Sequence, residues 1–171
     1  MSEAVLPTLL RSLNLTQMVK DYESASEQAQ REGWTFCAYL RRLCENEIAQ
    51  RSRRRLERLL KESHLPQTKT LANLDQSRLP LKLQRQLSGL LEGHFVEHAE
   101  NVLAFGLPGR GKTHLLCALA REMIVRYGYR VWFTPTVRLV QQLLIAKRDL
   151  KLESFLHKLD GFDLIMLDDI G

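Results

Sequence analysis

Eight consecutive residues carry the clearest chemistry in this 171-residue chain. Gly106, Leu107, Pro108, Gly109, Arg110, Gly111, Lys112 and Thr113 fit G-x-x-x-x-G-K-[ST], the pattern of a phosphate-binding loop. Glycines are needed there because the backbone must wrap an anion closely and turn its N–H groups inward. Lys112 supplies a compact cation for the terminal phosphates, and the Thr113 hydroxyl is suited to ligate Mg²⁺. A helix starting at this point adds its positive end. Further along, the run FDLIMLDD places Asp168 and Asp169 after four apolar residues, 56 positions beyond Lys112. That is the pattern of a Walker B strand. Its first acid holds Mg²⁺, and an acid beside it can orient and deprotonate an attacking water.

A third cluster is basic. Arg51, Arg54, Arg55 and Arg58 recur at i, i+3, i+4 and i+7, which puts them on one helical face. Read back along the helix, that face meets Phe36, Leu40, Leu43 and Cys44, so an apolar stripe turns basic halfway. The stripe is expected to contact the phosphate backbone of duplex DNA. A solvated face with Glu57 and Glu62 as local partners is the alternative. His94 and His98 formally complete an H-x-x-E-H zinc pattern, but no third ligand suggests itself and no zinc is expected.

These groups need elements to hold them. Val5, Leu6, Leu9, Leu10 and Leu13 space a short first helix. Thr16 is expected to cap a second, carrying Val19, Tyr22, Ala25 and Ala29 and stopping at Gly33. Thr35 caps a third, stapled by Trp34 and Tyr39 and running to about Lys61. Residues 66–80 are polar with proline at both ends and read as a linker. Beyond them strand and helix alternate. Residues 101–105 (NVLAF) are expected to form a buried strand leading into the loop. A helix over 112–127, with Leu115, Leu119, Met123 and Ile124 inward, ends at Gly128. A strand over 130–133 precedes a helix capped by Thr134 with Pro135 at its first position and Leu139, Leu143 and Leu144 inward. A short helix over 152–159 leads to a strand over 164–167. Trp34 and Trp132 are expected in the core, and His114 as a packing or surface residue. The fold class is therefore α/β, with a helical leader (1–65), a linker and the start of the second region (66–95), and a parallel sheet with flanking helices (96–171).

Composition agrees. Hydrophobic residues make up 44% and charged residues 26%, values that exclude a disordered or collagen-like chain. No apolar run approaches the ~20 residues that span a bilayer, and no secretory signal is visible. Cys37, Cys44 and Cys117 have no CxxC spacing, so reduced thiols and a cytoplasmic location are expected. The net charge of +5 is carried mainly up to Phe95, with 15 Lys and Arg against 11 Asp and Glu, compared with 10 against 9 afterwards. That excess points to an acidic partner.

Together the motifs resemble the IstB-like helper ATPases of insertion-sequence transposition, close to DnaC-type helicase loaders within the AAA+ class of P-loop NTPases. The resemblance rests on NVLAFGLPGRGKTHLLCALA, GYRVWFTPTVRLVQQLLIA and FDLIMLDDIG, and extends to LLRSLNLTQM, REGWTFCAYLRRL and LPQTKTLANLD near the start. It implies a partial AAA+ sheet that binds ATP through residues 106–113 and Mg²⁺ through Thr113 and Asp168. Lys112 and Asp169 are then the catalytic pair, although Asp169 stands where many relatives place a glutamate. The implied partners are duplex DNA, a transposase of the same element and further copies of the chain, with no membrane. The family's ATPase domain continues beyond this point with two more strands, a sensor residue and an arginine that completes a neighbour's site. The resemblance therefore implies a chain truncated after its Walker B motif. A helicase loader, or a non-hydrolysing nucleotide- and DNA-binding remnant, are the other readings.

Overall fold

A computed structural model of the protein describes residues 5–170. The chain divides into two compact units, Met1–Arg55 and Leu56–Gly171.

The first unit is helical. Helix α1 (Leu6–Ser12) carries proline in its first turn, where the missing N–H costs nothing. Helix α2 (Met18–Glu32) ends as the sequence predicts, on Gly33 in a left-handed conformation. Helix α3 (Phe36–Glu62) opens with the Thr35 hydroxyl accepting from the Ala38 amide at 3.2 Å. Met18, Ala25 and Leu43 form a small core, edged by Leu10, Tyr22, Tyr39 and Cys44.

Two expectations fail here. Thr16 does not cap α2; its hydroxyl instead accepts from Arg54 at 2.8 Å. The cap is supplied by Glu47 of α3, whose carboxylate accepts from the Gln17 and Met18 amides at 2.7 and 3.2 Å. A buried carboxylate satisfies two open N–H groups where a hydroxyl would satisfy one. Phe36 and Leu40 belong to the expected apolar face of α3, yet they are 94% and 57% exposed. At its start that face is left open to solvent.

The second unit holds α4 (Leu81–Leu90), α5 (His94–Glu97), α6 (Lys112–Tyr127), β1 (Val131–Pro135), α7 (Thr136–Arg148), α8 (Leu152–Leu159) and β2 (Leu164–Asp168). The strands pair in parallel, from Val131 opposite Leu164 to Pro135 opposite Asp168. A strand–helix–helix–strand crossover is what parallel pairing requires. The architecture is a partial P-loop NTPase α/β fold, with helices outweighing a small parallel sheet. Helix α6 is its spine. Cys117, Leu119, Ala120, Met123 and Ile124 pack with Val131, Met166 and Phe95, and the end of α3 adds Leu59.

Residues 101–105 do not form the expected strand. Val102 and Ala104 are half-buried, while Leu103 and Phe105 are exposed, and the segment makes no ladder bond among the described residues. Its alternation suits a strand, but nothing pairs with its backbone. Thr134 and Pro135 also depart from expectation. They remain in β1, held by the pairing of Pro135 with Asp168, so α7 begins at Thr136. Leu139 and Leu143 are half-buried as expected, whereas Leu144 faces outward. Trp34 and Trp132 are only half-buried, the latter stacked on Phe162. Residues 66–80, the expected linker, lie against α6. There Arg121 donates to the Pro66 carbonyl at 3.1 Å.

Candidate functional site

The phosphate-loop residues sit between the unpaired 101–105 segment and α6. Gly106, Gly109 and Gly111 adopt φ values of 152°, 73° and 82°, a sequence of turns that side-chain-bearing residues rarely make. A Cβ added at Gly109 or Gly111 would meet nothing within 4 Å, so the loop surrounds open space. Leu107, Pro108 and Arg110 are exposed along it. Helix α6 starts at Lys112, and the first bond back into the loop runs from the Leu115 amide to Gly111 at 2.9 Å. The preceding amides are the open N–H groups that every helix start presents.

Lys112 folds back over the loop. Its ammonium donates to the carbonyls of Gly106 at 2.7 Å and Leu107 at 3.1 Å. Both acceptors are neutral, so a phosphate in reach would outcompete them. The Thr113 hydroxyl donates to Asp168 Oδ1 at 2.8 Å. This bond brings the two sequence motifs together, since Thr113 lies in the first turn of α6 and β2 ends at Asp168. Hydroxyl and carboxylate oxygens side by side suit a hard cation such as Mg²⁺.

Asp169, next along, is exposed and holds φ 54°. Sequence reasoning missed Thr136, whose hydroxyl donates to the Asp168 carbonyl at 3.0 Å and fixes the strand end from α7. Pro135 is the N-cap residue of α7 and no side chain caps this helix, so a threonine at its first position is free to bond the strand. His114 packs beside the loop, its Nε2–H donating to the Thr70 carbonyl at 3.0 Å. On the same helix, burial pushes the Cys117 thiol up to about 11, so it stays protonated and unreactive. His94 pairs with Glu97 at 3.1 Å and shares the lining of one cavity with Arg110, Gly111 and Lys112.

The four arginines of α3 have different surroundings. Arg51 bonds Glu47 at 2.8 Å and the Asn14 carbonyl at 2.8 Å. Arg54 holds Thr16, as described above. Arg55 is exposed, and Arg58 faces Glu62 at 3.9 Å.

The profile of the IstB-like ATP binding proteins matches residues 8–171. The chain belongs to this family. An insertion sequence ATP-binding protein of Sinorhizobium fredii is 41% identical over 99% of the chain and 57% of its own length. The insertion sequence IS21 ATP-binding protein of Pseudomonas aeruginosa is 37% identical, over 97% of the chain and 62% of its own length. The replicative helicase loader DnaC of Buchnera aphidicola is 25% identical over 74% of the chain and 54% of its own length. This IstB-like chain thus spans roughly three fifths of the insertion-sequence relatives it matches. No helix among its described residues is long and apolar enough to cross a membrane.

Proposed function

We propose that this IstB-like chain binds ATP with Mg²⁺ at residues 106–113 and Asp168, and serves DNA transposition as an ATP-dependent helper. The observation that carries the reading is the 2.8 Å bond between Thr113 and Asp168 at the mouth of an open glycine loop. The loop amides and the start of α6 receive the phosphates, and Lys112 exchanges two neutral carbonyls for a dianion. Thr113 and Asp168 hold the metal, which when bound neutralises charge on the terminal phosphates. Asp169 orients the attacking water, with a side chain one methylene shorter than glutamate. On this reading ATP acts as an assembly switch. The chain binds duplex DNA through basic surfaces that include the α3 arginines, gathers into homo-oligomers, and presents target DNA to a transposase in the cytoplasm.

The similarity to DnaC supports a second reading, a helicase loader with the same site and a different partner. The identities of 41% and 37% to insertion-sequence proteins favour the first. Titration of the chain with a fluorescent ATP analogue, with and without Mg²⁺, tests the shared core. Saturable binding that Mg²⁺ tightens is expected, and absence of binding would overturn it. Pull-down against a transposase and a replicative helicase separates the two partners.

A further inference from the structure

A second cavity opens in the unit from Leu56 onward, away from the glycine loop. It has a volume of about 1060 Å³ and lies where the end of α3, α6, the outer edge of β1 and the first turns of α7 meet. Four side chains able to carry positive charge reach it from three separate stretches of chain. They are Lys61 of α3, His64 just after it, Arg121 of α6 and Arg138 of α7. Glu57 is the single acid in this wall.

These basic side chains are little used internally. The side chains of Lys61, His64 and Arg138 make no hydrogen bond or ion pair among the described residues. Arg121 spends one nitrogen on the Pro66 carbonyl, while its Nε is buried without a partner. Clustering like charges around a single acid costs energy unless an anion offsets the excess. Trp132 supplies an aromatic surface there, backed by Phe162 with ring centroids 5.9 Å apart. Basic groups around an aromatic face are what proteins use to hold single-stranded nucleic acid, the cations on phosphate and the ring under a base. Arg58 stands one helical turn before Lys61 on α3, so the positive face continues beyond the cavity mouth.

We propose that this cavity takes a phosphate of a single nucleic-acid strand, with Lys61 and Arg138 on the phosphate and Trp132 stacked under the neighbouring base. The site is separate from the ATP loop and needs neither ATP nor Mg²⁺. The chain has two tryptophans, so Trp34→Phe leaves Trp132 as the sole reporter. We expect a twelve-nucleotide thymidine strand to quench its fluorescence in nucleotide-free buffer. Adding Lys61→Gln and Arg138→Gln should move the quench to at least tenfold higher strand concentration. It should also flatten the log–log salt dependence of binding by about 1.4, at roughly 0.7 per lost phosphate contact. Both side chains are exposed, so circular dichroism should be unchanged. An unaltered slope, or an unaltered strand affinity in the variant, would overturn the assignment. Inorganic phosphate that quenches as strongly at equal phosphate concentration would overturn the assignment to a strand. A duplex that quenches equally would overturn the stacking role of Trp132, because paired bases are not free to stack on it.

Discussion

The Thr113 hydroxyl donates to Asp168 Oδ1 at 2.8 Å, joining the start of α6 to the end of β2 across 55 positions of sequence. Each partner belongs to a different motif, and the packing of α6 against β2, which pairs in parallel with β1, brings them together. If both ligate Mg²⁺, removing the hydroxyl should matter only when the metal is present. Thr113→Ala is expected to weaken binding of a fluorescent ATP analogue about tenfold in Mg²⁺ buffer, the scale of one bond to a charged group. With a chelator the loss should nearly vanish. Equal losses in both buffers would show that the hydroxyl acts through the fold alone.

Lys112 rests on the Gly106 and Leu107 carbonyls, which preforms the loop while leaving the charge exchangeable. Lys112→Ala removes a charge-assisted contact worth roughly 1.5–3 kcal/mol. Nucleotide affinity should fall between about tenfold and a hundredfold. A thermal-shift titration checks this, because ligand stabilisation follows affinity by mass action. A melting temperature raised equally by ATP in parent and variant would remove Lys112 from the site.

Hydrolysis should be slow. Asp169 is exposed, holds a left-handed backbone conformation and has no hydrogen bond or ion pair among the described residues to orient it. A general base must be positioned before its basicity counts. Turnover by the isolated chain is expected well below the ~1–100 s⁻¹ of efficient phosphoryl-transfer enzymes. A phosphate-release assay reaching that range would show that the carboxylate is oriented after all.

What the sequence made legible follows the range of the interactions involved. The glycine loop, α6 and its end at Gly128 were readable because local backbone demands select those residues. The Walker B strand was readable because its apolar run stops at an acid. Residues 101–105 misled because a strand exists only with a partner, and alternation in one segment says nothing about its neighbour. Thr16 was a sound cap by local rules. Glu47, 30 positions from Gln17, displaced it through a contact no window of sequence contains. The basic cavity was invisible for the same reason, since Lys61, Arg121 and Arg138 converge only after folding.

The stripe of four arginines now divides into two experiments. Arg51 and Arg54 tie α3 to the turn before α2, so their loss should lower stability as well as any affinity for DNA. Arg55 and Arg58 carry little structural duty, Arg58 having only a long surface pairing with Glu62. If they contact duplex DNA, Arg55→Gln with Arg58→Gln should flatten the salt dependence of duplex binding by about 1.8, at roughly 0.9 per phosphate. The melting temperature should not move. An unchanged slope would make this pair a solvated face.

Glu47 gives the first unit a dependence on acid. Burial alone would raise its pKa, but the Arg51 guanidinium and the Gln17 and Met18 amides outweigh that and hold it below its ordinary value of 4.5. Because the folded state favours the carboxylate, its contribution is complete above 4.5 and drains away as pH falls through the lower folded value. Chemical denaturation followed by helical circular dichroism should therefore show stability dropping in acid below about pH 4.5. Glu47→Gln keeps one acceptor oxygen and cannot titrate. It should be less stable than the parent at pH 7 and lose less on acidification. Glu47→Ala strands two amides, at a cost of about 3 kcal/mol near neutrality. The difference between the two variants isolates the oxygen from the charge. A Gln variant whose stability follows the parent through the whole acid range would assign the acid sensitivity to another carboxylate. Glu47 would then be a cap whose charge contributes nothing.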